Sequence, residues 1–185
     1  MGERINVIST KELNKLERFN AVAPGLILGF SETMEREKAE KDPNYRQIIP
    51  YVSLINLPEN KILVYRRAGS EERLKDQFSI GFGGHMRADE TIYTCIWREL
   101  NEELGLDIRP SQLDFRSVIL LSDTEVDRVH IGLSYMVYLD EEPELRPSEE
   151  IAELWWEDLG NLDAERFENW SAYVIREVIH EWANV

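Results

Sequence analysis

The feature of the sequence that most constrains its fold is one amphipathic helix set among runs of β-forming residues. The spacing predicts this helix over about Glu90–Leu104, ending at Gly105, because glycine commonly follows the last turn of a helix. An apolar stripe runs along it, formed by Tyr93, Ile96, Leu100 and Leu104. Side chains three and four positions apart share one helix face, so we expect this face to pack against a sheet.

The sheet is predicted from short runs rich in β-branched and aromatic residues. They are Tyr51–Leu57, Lys61–Arg66, Phe78–Phe82, Arg116–Leu121, Ile131–Leu139 and Glu153–Trp156. The first two are joined by Pro58-Glu59-Asn60, which is typical of a hairpin. Together with the helices, the runs favour a mixed β-sheet with helices packed on it, an α/β (α+β) layered domain.

The remaining segments predict further helices and loops. Helices are expected over Ser9–Phe19 and Ala164–Trp182, where apolar residues recur at helical spacing. The charged stretch Ser31–Asp42 fits either a solvated helix or a loop. Polar or acidic loops are predicted over Ala68–Gln77, Ser122–Asp127 and Glu142–Glu150.

Composition excludes several classes of protein. The chain has 185 residues and a formal net charge of −15, which disfavours electrostatic binding to nucleic acid. One cysteine, Cys95, rules out a disulfide within the chain and a thiolate metal cluster. The N-terminus lacks a signal-peptide pattern, and the apolar stretch Ala21–Phe30 is too short to span a bilayer. We therefore expect a cytoplasmic protein with no membrane partner.

Three glutamates on the central helix indicate chemistry. Glu99, Glu102 and Glu103 stand at i, i+3 and i+4, so they share one face of the helix and repel one another. A hard divalent cation reverses that repulsion, because Mg²⁺ and Mn²⁺ prefer oxygen ligands. Taken alone, the same glutamates also fit an ordinary solvated helix face. The pair Gly83-Gly84 ends a strand just before the helix and allows close approach of backbone to a ligand, so a carbonyl there is a further candidate ligand.

Other polar groups near the helix are candidates for supporting roles. Glu90 and Arg98 are eight residues apart, about two helical turns, so they could pair and brace the loop against the helix. The residues Arg66 and Arg67 end a strand before the glycines and are the best candidates for phosphate contact, with surface ion pairing as the alternative. Phe82 is either a platform for a base or a core residue. His85 is either a hydrogen-bond donor beside the metal or a loop filler, whereas we expect His130 to be structural.

The segment from Gly84 to Leu106 resembles the Nudix box, Gly-x5-Glu-x7-Arg-Glu-U-x-Glu-Glu-x-Gly-U, where U is a bulky aliphatic residue. The fixed positions are matched by Gly84, Glu90, Arg98, Glu99, Leu100, Glu102, Glu103, Gly105 and Leu106. The resemblance implies the Nudix fold, a mixed sheet between helices, from about Tyr51 onward. It predicts a single Nudix domain over residues 1–185, in which residues 1–45 form an N-terminal extension of unexplained role.

The resemblance also implies an activity and its residues. Nudix hydrolases cut a diphosphate linkage in nucleoside-diphosphate compounds, with water attacking phosphorus and Mg²⁺, or alternatively Mn²⁺, at the box. Glu99, Glu102 and Glu103 match the metal-binding glutamates, and Gly83 matches a position whose carbonyl often joins them. Glu90 and Arg98 match the bracing pair. The resemblance leaves two sources for the general base, the box or a loop, and the loop candidates are Glu125, Glu149, Glu150 and Glu153.

Departures from known subgroups leave the substrate open. Phe82 replaces the proline common before the double glycine, and Ser122 stands where relatives acting on ADP-ribose tend to have proline. One alternative function is a non-catalytic module that senses a nucleotide or metabolite, although such modules usually lose a box glutamate. A second is an enzyme similar to isopentenyl diphosphate isomerase, disfavoured because the box is intact. The N-terminal region and the tryptophans near the C-terminus could supply a homodimer interface.

Overall fold

The computed structural model describes residues 2–68 and 78–179. Its strands are β1 (Arg4–Ser9), β2 (Glu32–Glu35), β3 (Tyr45–Asn56), β4 (Lys61–Arg67), β5 (Phe78–Ser79), β6 (Phe82–Gly83), β7 (Leu113–Ile119), β8 (His130–Leu139) and β9 (Ile151–Asp158). Its α-helices are α1 (Thr10–Arg18), α2 (Pro24–Gly29), α3 (Arg36–Ala39), α4 (Ile92–Leu104), α5 (Glu125–Arg128) and α6 (Asn169–Val174). Short 3₁₀ turns cover Pro110–Gln112, Leu159–Asn161 and Ala164–Arg166, and a π-helical turn covers Ile175–Ile179.

The strands form one mixed sheet organised around β3. This strand pairs antiparallel with β1, β4 and β6, and parallel with β8 over the whole length from Gln47↔His130 to Asn56↔Leu139. Strand β8 also pairs antiparallel with β7, and β4 pairs antiparallel with β9. The predicted mixed sheet is confirmed, as is the hairpin between β3 and β4, in which Ile55 faces Ile62.

Each face of the sheet is covered by helical segments, as predicted. On one face, α1 and α4 pack their apolar residues into a core that includes Leu13, Ile96, Leu100, Val52 and Leu133. On the other face, the C-terminal segment supplies Val174, Ile175 and Ile179 to a second core. The sheet therefore lies between layers of helices, and α4 is fixed against it by buried side chains. None of the helices in the described part of the chain is long and apolar enough to cross a membrane.

Strand β3 begins at Tyr45, six residues before the predicted start, and contains Pro50 in its interior. The amide of Gln47 donates to Val129 beside β8, so alternate residues send their amides towards β8. The missing N–H of Pro50 therefore faces the opposite side. On that side, Pro50 lies between residues 45–47, which pair with β1, and residues 51–52, which pair with β6. A proline at this position therefore removes no hydrogen bond of the sheet.

The predicted strand over Phe78–Phe82 is wrong as a single element, because it is divided into β5 and β6. Between them, Gly81 lies against the ring of Tyr51: a Cβ at this glycine would be 1.8 Å from Tyr51 Cζ. This close approach separates the two short strands. Within the predicted loop Ala68–Gln77, residues 69–77 lie outside the described residues.

Two charged segments contain more structure than their composition indicates. Residues 31–42 form neither a single helix nor a loop, because they contain both β2, which pairs with β1, and the short helix α3. The predicted loop Ser122–Asp127 runs into α5, which Thr124 caps by accepting a hydrogen bond from the Asp127 amide. These elements arise from pairing and capping contacts rather than from hydrophobic periodicity.

The predicted helix Ala164–Trp182 is interrupted. Phe167 forms a bridge with Phe78 of β5, and the carboxylate of Glu168 then caps α6 by accepting from the Trp170 and Ser171 amides. The chain thus leaves a 3₁₀ turn, touches the sheet and starts a new helix. The last residues of the prediction, 180–182, lie outside the described residues.

Candidate active site

The central helix α4 presents one apolar and one acidic face. The helix begins at Ile92, two residues after the predicted start at Glu90. Thr91 caps this start in a reciprocal arrangement with Thr94. Its end is the predicted one, since Gly105 adopts the left-handed conformation with φ 63°. The side chains of Ile96, Leu100 and Leu104 are buried against the sheet. The helix is therefore held on one side while the glutamates lie at its rim.

The three glutamates differ in their surroundings. The side chain of Glu99 is 13% exposed, that of Glu102 is 56% exposed, and Glu103 is partly buried. Glu99 lies against the backbone of Gly84, where a Cβ would be 2.2 Å from its Oε1 atom. Only glycine leaves room for the carboxylate there. The sequence pattern therefore places a carboxylate directly beside the glycine turn that precedes the helix.

Arg98 ties the loop to the helix more extensively than the predicted pair with Glu90. Its guanidinium donates to Glu90 at 2.6 and 3.1 Å and to the carbonyl of His85 at 3.2 Å. It also donates to Glu99 and, at 3.4 Å, to Glu102. Its side chain is 13% exposed, so these are shielded charge-assisted hydrogen bonds. Although burial opposes it, hydrogen bonds from Arg98 and from the Arg87 amide lower the pKa of Glu90.

At the rim, burial outweighs the hydrogen bonds, so the pKa values of Glu99 and Glu103 are raised. Desolvation, followed by the charge of Glu99, raises the pKa of Glu103 to about 7. Desolvation also raises the pKa of Glu99, although its hydrogen bond with Arg98 opposes the shift. The protein thus holds carboxylates close together in a place where their negative charge is costly.

The donor set fits a hard divalent cation. The donors are carboxylate oxygens, which such cations prefer. They lie beside a glycine turn whose space a Cβ would fill. One of them, the partly buried Glu103, is in a place where burial disfavours its negative charge. The fit requires side-chain rotation, because among residues 2–68 and 78–179 no three acidic, histidine or cysteine side chains already converge on one point. Glu102 is exposed and its contact with Arg98 is long, at 3.4 Å, so its side chain can rotate most easily, whereas Glu99 is fixed between Arg98 and Gly84.

The predicted substrate residues occupy different environments. Arg67 is exposed near the acidic rim, and the Tyr65 hydroxyl, followed by the Glu103 and Glu168 carboxylates, raises its pKa. Arg66 donates to Glu153 at 2.8 Å. The structure buries Phe82 completely and stacks it on Tyr65, so it offers no exposed face to a ligand.

His85 is partly buried and pairs with His130, with 3.2 Å between their Nε2 atoms. Desolvation, with the charge of Arg36 and then His130, lowers the pKa of His85 to about 4, and desolvation lowers that of His130. Both rings are therefore neutral at pH 7. The two residues are 45 positions apart, and no pattern in the sequence indicates their contact.

Of the four loop glutamates, Glu150 is the one whose charge acts on Glu103 of the box. Its charge contributes to the raised pKa of Glu103, and its carbonyl accepts from the Ala68 amide at 2.7 Å. The amide of Ser148 in turn donates to the backbone carbonyl of Glu103 at 2.8 Å, which ties this loop to α4. Glu149 is exposed in the same turn, whereas Glu153 pairs with Arg66 and Glu125 lies at the start of α5.

The family of the chain follows from a sequence comparison. The NUDIX domain family model matches residues 48–178, which include most of β3, the strands from β4 to β9 and all of α4. The chain belongs to the Nudix family. The intact box, the sheet between helices and the acidic rim of α4 are therefore parts of one known type of domain, and the chain is a pyrophosphohydrolase of this broad class.

Two individual relatives match most of the chain. Protein YmaB of Bacillus subtilis (strain 168) is 35% identical over 158 residues, which cover 77% of this chain and 75% of YmaB. The crystal structure of Tm1382, a protein assigned to the Nudix hydrolases, matches 97% of this chain and all of its own with 26% identity and a TM-score of 0.77. The match to Tm1382 extends over the N-terminal strands as well as the box.

A bifunctional NMN adenylyltransferase/ADP ribose pyrophosphatase from Francisella tularensis, complexed with AMP and a Mn ion, shares the fold. It covers 92% of this chain and 47% of its own, at 21% identity and a TM-score of 0.59. Nudix hydrolases act on small-molecule nucleotide substrates and are generally dependent on divalent metal.

Proposed function

We propose that this Nudix protein hydrolyses a phosphoanhydride bond in a nucleotide or a related nucleoside-diphosphate-linked metabolite, with Mg²⁺ as its cofactor and Mn²⁺ as a substitute. The carboxylates of Glu99, Glu102 and Glu103 would hold the metal, together with the carbonyl of Gly83. A bound divalent cation would neutralise phosphate oxygens and lower the pKa of water. The observation that carries the proposal is the placement of Glu99 against Gly84, beside the desolvated carboxylate of Glu103.

The chain's own residues prepare the site. Arg98 and Glu90 hold the loop at His85 against α4 and thereby fix the direction of the Glu99 side chain. Arg67, which is exposed beside the acidic rim, would donate to a phosphate group of the substrate. Arg66 would do so only after leaving Glu153. His85 would act as a neutral hydrogen-bonding group at the edge of the site.

The proton of the attacking water needs an acceptor. We assign this role to Glu150, whose charge acts on the Glu103 carboxyl, or, if Glu99 and Glu102 hold the metal without Glu103, to Glu103 itself. Glu150 is exposed on a loop that is hydrogen-bonded to the end of α4 and to Ala68. Kinetics of Glu103→Gln and Glu150→Gln as a function of pH would separate the two.

The experiment that tests the function is a hydrolysis screen with Mg²⁺ and then Mn²⁺. The panel contains nucleoside triphosphates, oxidised nucleotides, nucleotide sugars, ADP-ribose, dinucleoside polyphosphates, coenzyme A and isopentenyl diphosphate. Wild type is compared with Glu103→Gln and with Gln47→Met, a control in β3 whose side chain donates to the Val129 carbonyl. We expect hydrolysis of at least one nucleotide by wild type and by the control, and a loss of about 100-fold or more in Glu103→Gln.

Two results would contradict the proposal. Hydrolysis that persists in a chelator or in Glu103→Gln would remove the metal assignment. Binding of a nucleotide, seen as a thermal shift, without turnover by any preparation would favour a sensing module instead.

We further propose that the N-terminal strands and the family-matched region act as one domain, which the pairing of β1 with β3 supports. A homodimer in solution is part of the same proposal and is tested by sedimentation.

A further inference from the structure

The loop that begins the Nudix box lies between two strands that have separated. Strand β1 pairs with β3 only from Val7↔Gln47 to Ser9↔Tyr45. Beyond this point the backbone of Met86 takes the place between the strands: its amide donates to Ile48 at 3.1 Å and its carbonyl accepts from the Asn6 amide at 2.8 Å. The loop is thus inserted into the sheet between the N-terminal strand and β3.

The side chain of Asn6 closes this arrangement. The residue is 8% exposed, and its Nδ2 atom donates to the carbonyl of Arg87 at 2.7 Å and to that of Met86 at 3.4 Å. A further backbone bond joins the Ala88 amide to the Arg4 carbonyl at 3.0 Å. One buried amide side chain therefore satisfies carbonyls at two successive positions of the loop, which would otherwise have fewer partners away from water.

These contacts connect Asn6 to the acidic rim through short steps. The Arg87 amide donates to the Glu90 carboxylate at 2.8 Å, and the Glu90 amide donates back to the Arg87 carbonyl at 3.0 Å. Glu90 holds Arg98, which in turn donates to Glu99. A shift of the loop at Arg87 would therefore be transmitted to the carboxylate that lies against Gly84.

We propose that Asn6, in the N-terminal strand, is a positioning residue that holds the box loop at Met86 and Arg87 so that Glu90 and Arg98 direct Glu99 towards the metal. This inference rests on the proposed metal role of the box glutamates. It gives the N-terminal strand a part in the site although it supplies no ligand. It also explains why a polar residue is buried at this point of β1, between the apolar Ile5 and Val7.

The test compares two buried amide side chains in the same sheet. Asn6→Leu keeps the approximate shape and removes both donors. Gln47→Met is the matched control, because Gln47 is fully buried and its side chain donates from Nε2 to the Val129 carbonyl beside β8, at 3.3 Å. Hydrogen–deuterium exchange of the Met86 and Ala88 amides reports on the loop, and electron paramagnetic resonance with Mn²⁺ alone reports on metal affinity.

We expect Asn6→Leu to accelerate exchange at Met86 and Ala88 and to raise the Kd for Mn²⁺ about tenfold, as loss of a residue that orients metal ligands typically does. Gln47→Met should change neither. With a substrate identified from the screen, kcat should fall more than KM rises, since the hydrogen bonds of the Asn6 side chain go to the loop that positions the metal ligands. If Asn6→Leu does not fold, Asn6→Asp keeps the shape, replaces the donors by acceptors and serves the same comparison.

The outcomes separate this inference from the proposed function. If wild type binds Mn²⁺ and the Asn6 and Gln47 variants match it in exchange and affinity, Asn6 has no positioning role and the inference is wrong. If wild type binds no Mn²⁺ and hydrolyses nothing, the proposed function fails. In that case the part of the inference that concerns metal ligands fails too. Exchange at the Met86 amide would then test only whether Asn6 holds the loop in place.

Discussion

Replacing Glu103 by glutamine should make the protein more stable at neutral and higher pH while it inactivates the enzyme. Burial raises the pKa of this carboxyl from its ordinary value of 4.5 to about 7, so the folded state binds a proton more tightly than the unfolded state. The stability that this proton contributes is present below pH 4.5 and is lost as pH rises through 7. A pKa difference of this size corresponds to about 3 kcal/mol.

Glutamine resembles the protonated carboxyl at every pH. The variant Glu103→Gln therefore keeps the free energy of unfolding that wild type loses when the Glu103 carboxyl is deprotonated. Without metal, the two proteins should have similar free energies of unfolding near pH 4.5, and the variant should exceed wild type by about 3 kcal/mol above pH 8. Urea unfolding followed by tryptophan fluorescence, in a chelator, measures the difference. Glu102→Gln is the matched control on the same helix face: its side chain is 56% exposed, and we expect a change below about 0.5 kcal/mol.

Metal should cancel most of this difference in stability. A cation at 100 times its Kd stabilises the folded state by about 2.7 kcal/mol, and it should do so for wild type but not for Glu103→Gln. A difference between the two proteins that does not vary with pH would refute the reasoning about burial. Equal stabilisation of both proteins by Mg²⁺ would refute the assignment of Glu103 as a ligand.

Three further predictions concern the box and its cofactor. Gly84→Ala should reduce kcat at least tenfold and lower Mn²⁺ affinity in a binding titration, because its Cβ would lie 2.2 Å from Glu99 Oε1; unchanged affinity would show that Glu99 moves freely. Gly105→Ala should lower the free energy of unfolding by about 1 kcal/mol, since φ is 63°, whereas Gly160→Ala, with no atom within 4 Å of its Cβ, should not; equal urea midpoints would contradict this. Removal of divalent metal should abolish hydrolysis of the substrate found in the screen, and added Mg²⁺ should restore it; activity in excess chelator would exclude a metal-dependent reaction.

The central helix and most strands from β3 onward could be predicted because their signals are local, whereas β1 and β2 were not predicted. The apolar stripe on α4 repeats at helical spacing and ends at Gly105, and each long strand is a continuous run of β-forming residues. The pairing of Arg98 with Glu90 could be expected for the same reason, since both residues lie within or next to one helix. The further bonds from Arg98 to Glu99 and Glu102 follow from the same helical proximity.

The errors lie where distant residues decide the local structure. The strand predicted over Phe78–Phe82 is divided because the ring of Tyr51 packs on Gly81, thirty residues away. The C-terminal helix is interrupted because Phe167 bridges to Phe78 in the sheet. The position of Phe82 in the core and the contact of His85 with His130 depend likewise on tertiary packing. The spacing of apolar residues along the sequence carries no information about such contacts between distant residues.

The box is contiguous in sequence, but its geometry requires both sides of the domain. From Ser79 to Ala88 the chain forms only short strand pairs, so its backbone groups need partners from elsewhere. The C-terminal segment supplies one at Ile80, whose amide donates to Ser171 Oγ at 3.0 Å. Ser171 is in turn held by the Tyr51 hydroxyl at 2.7 Å, and Asn6 supplies the bonds at the other end of the loop. A change at Asn6 or Ser171 should therefore act on the glutamates of α4 without touching them, and its cost should appear in metal affinity before it appears in global unfolding.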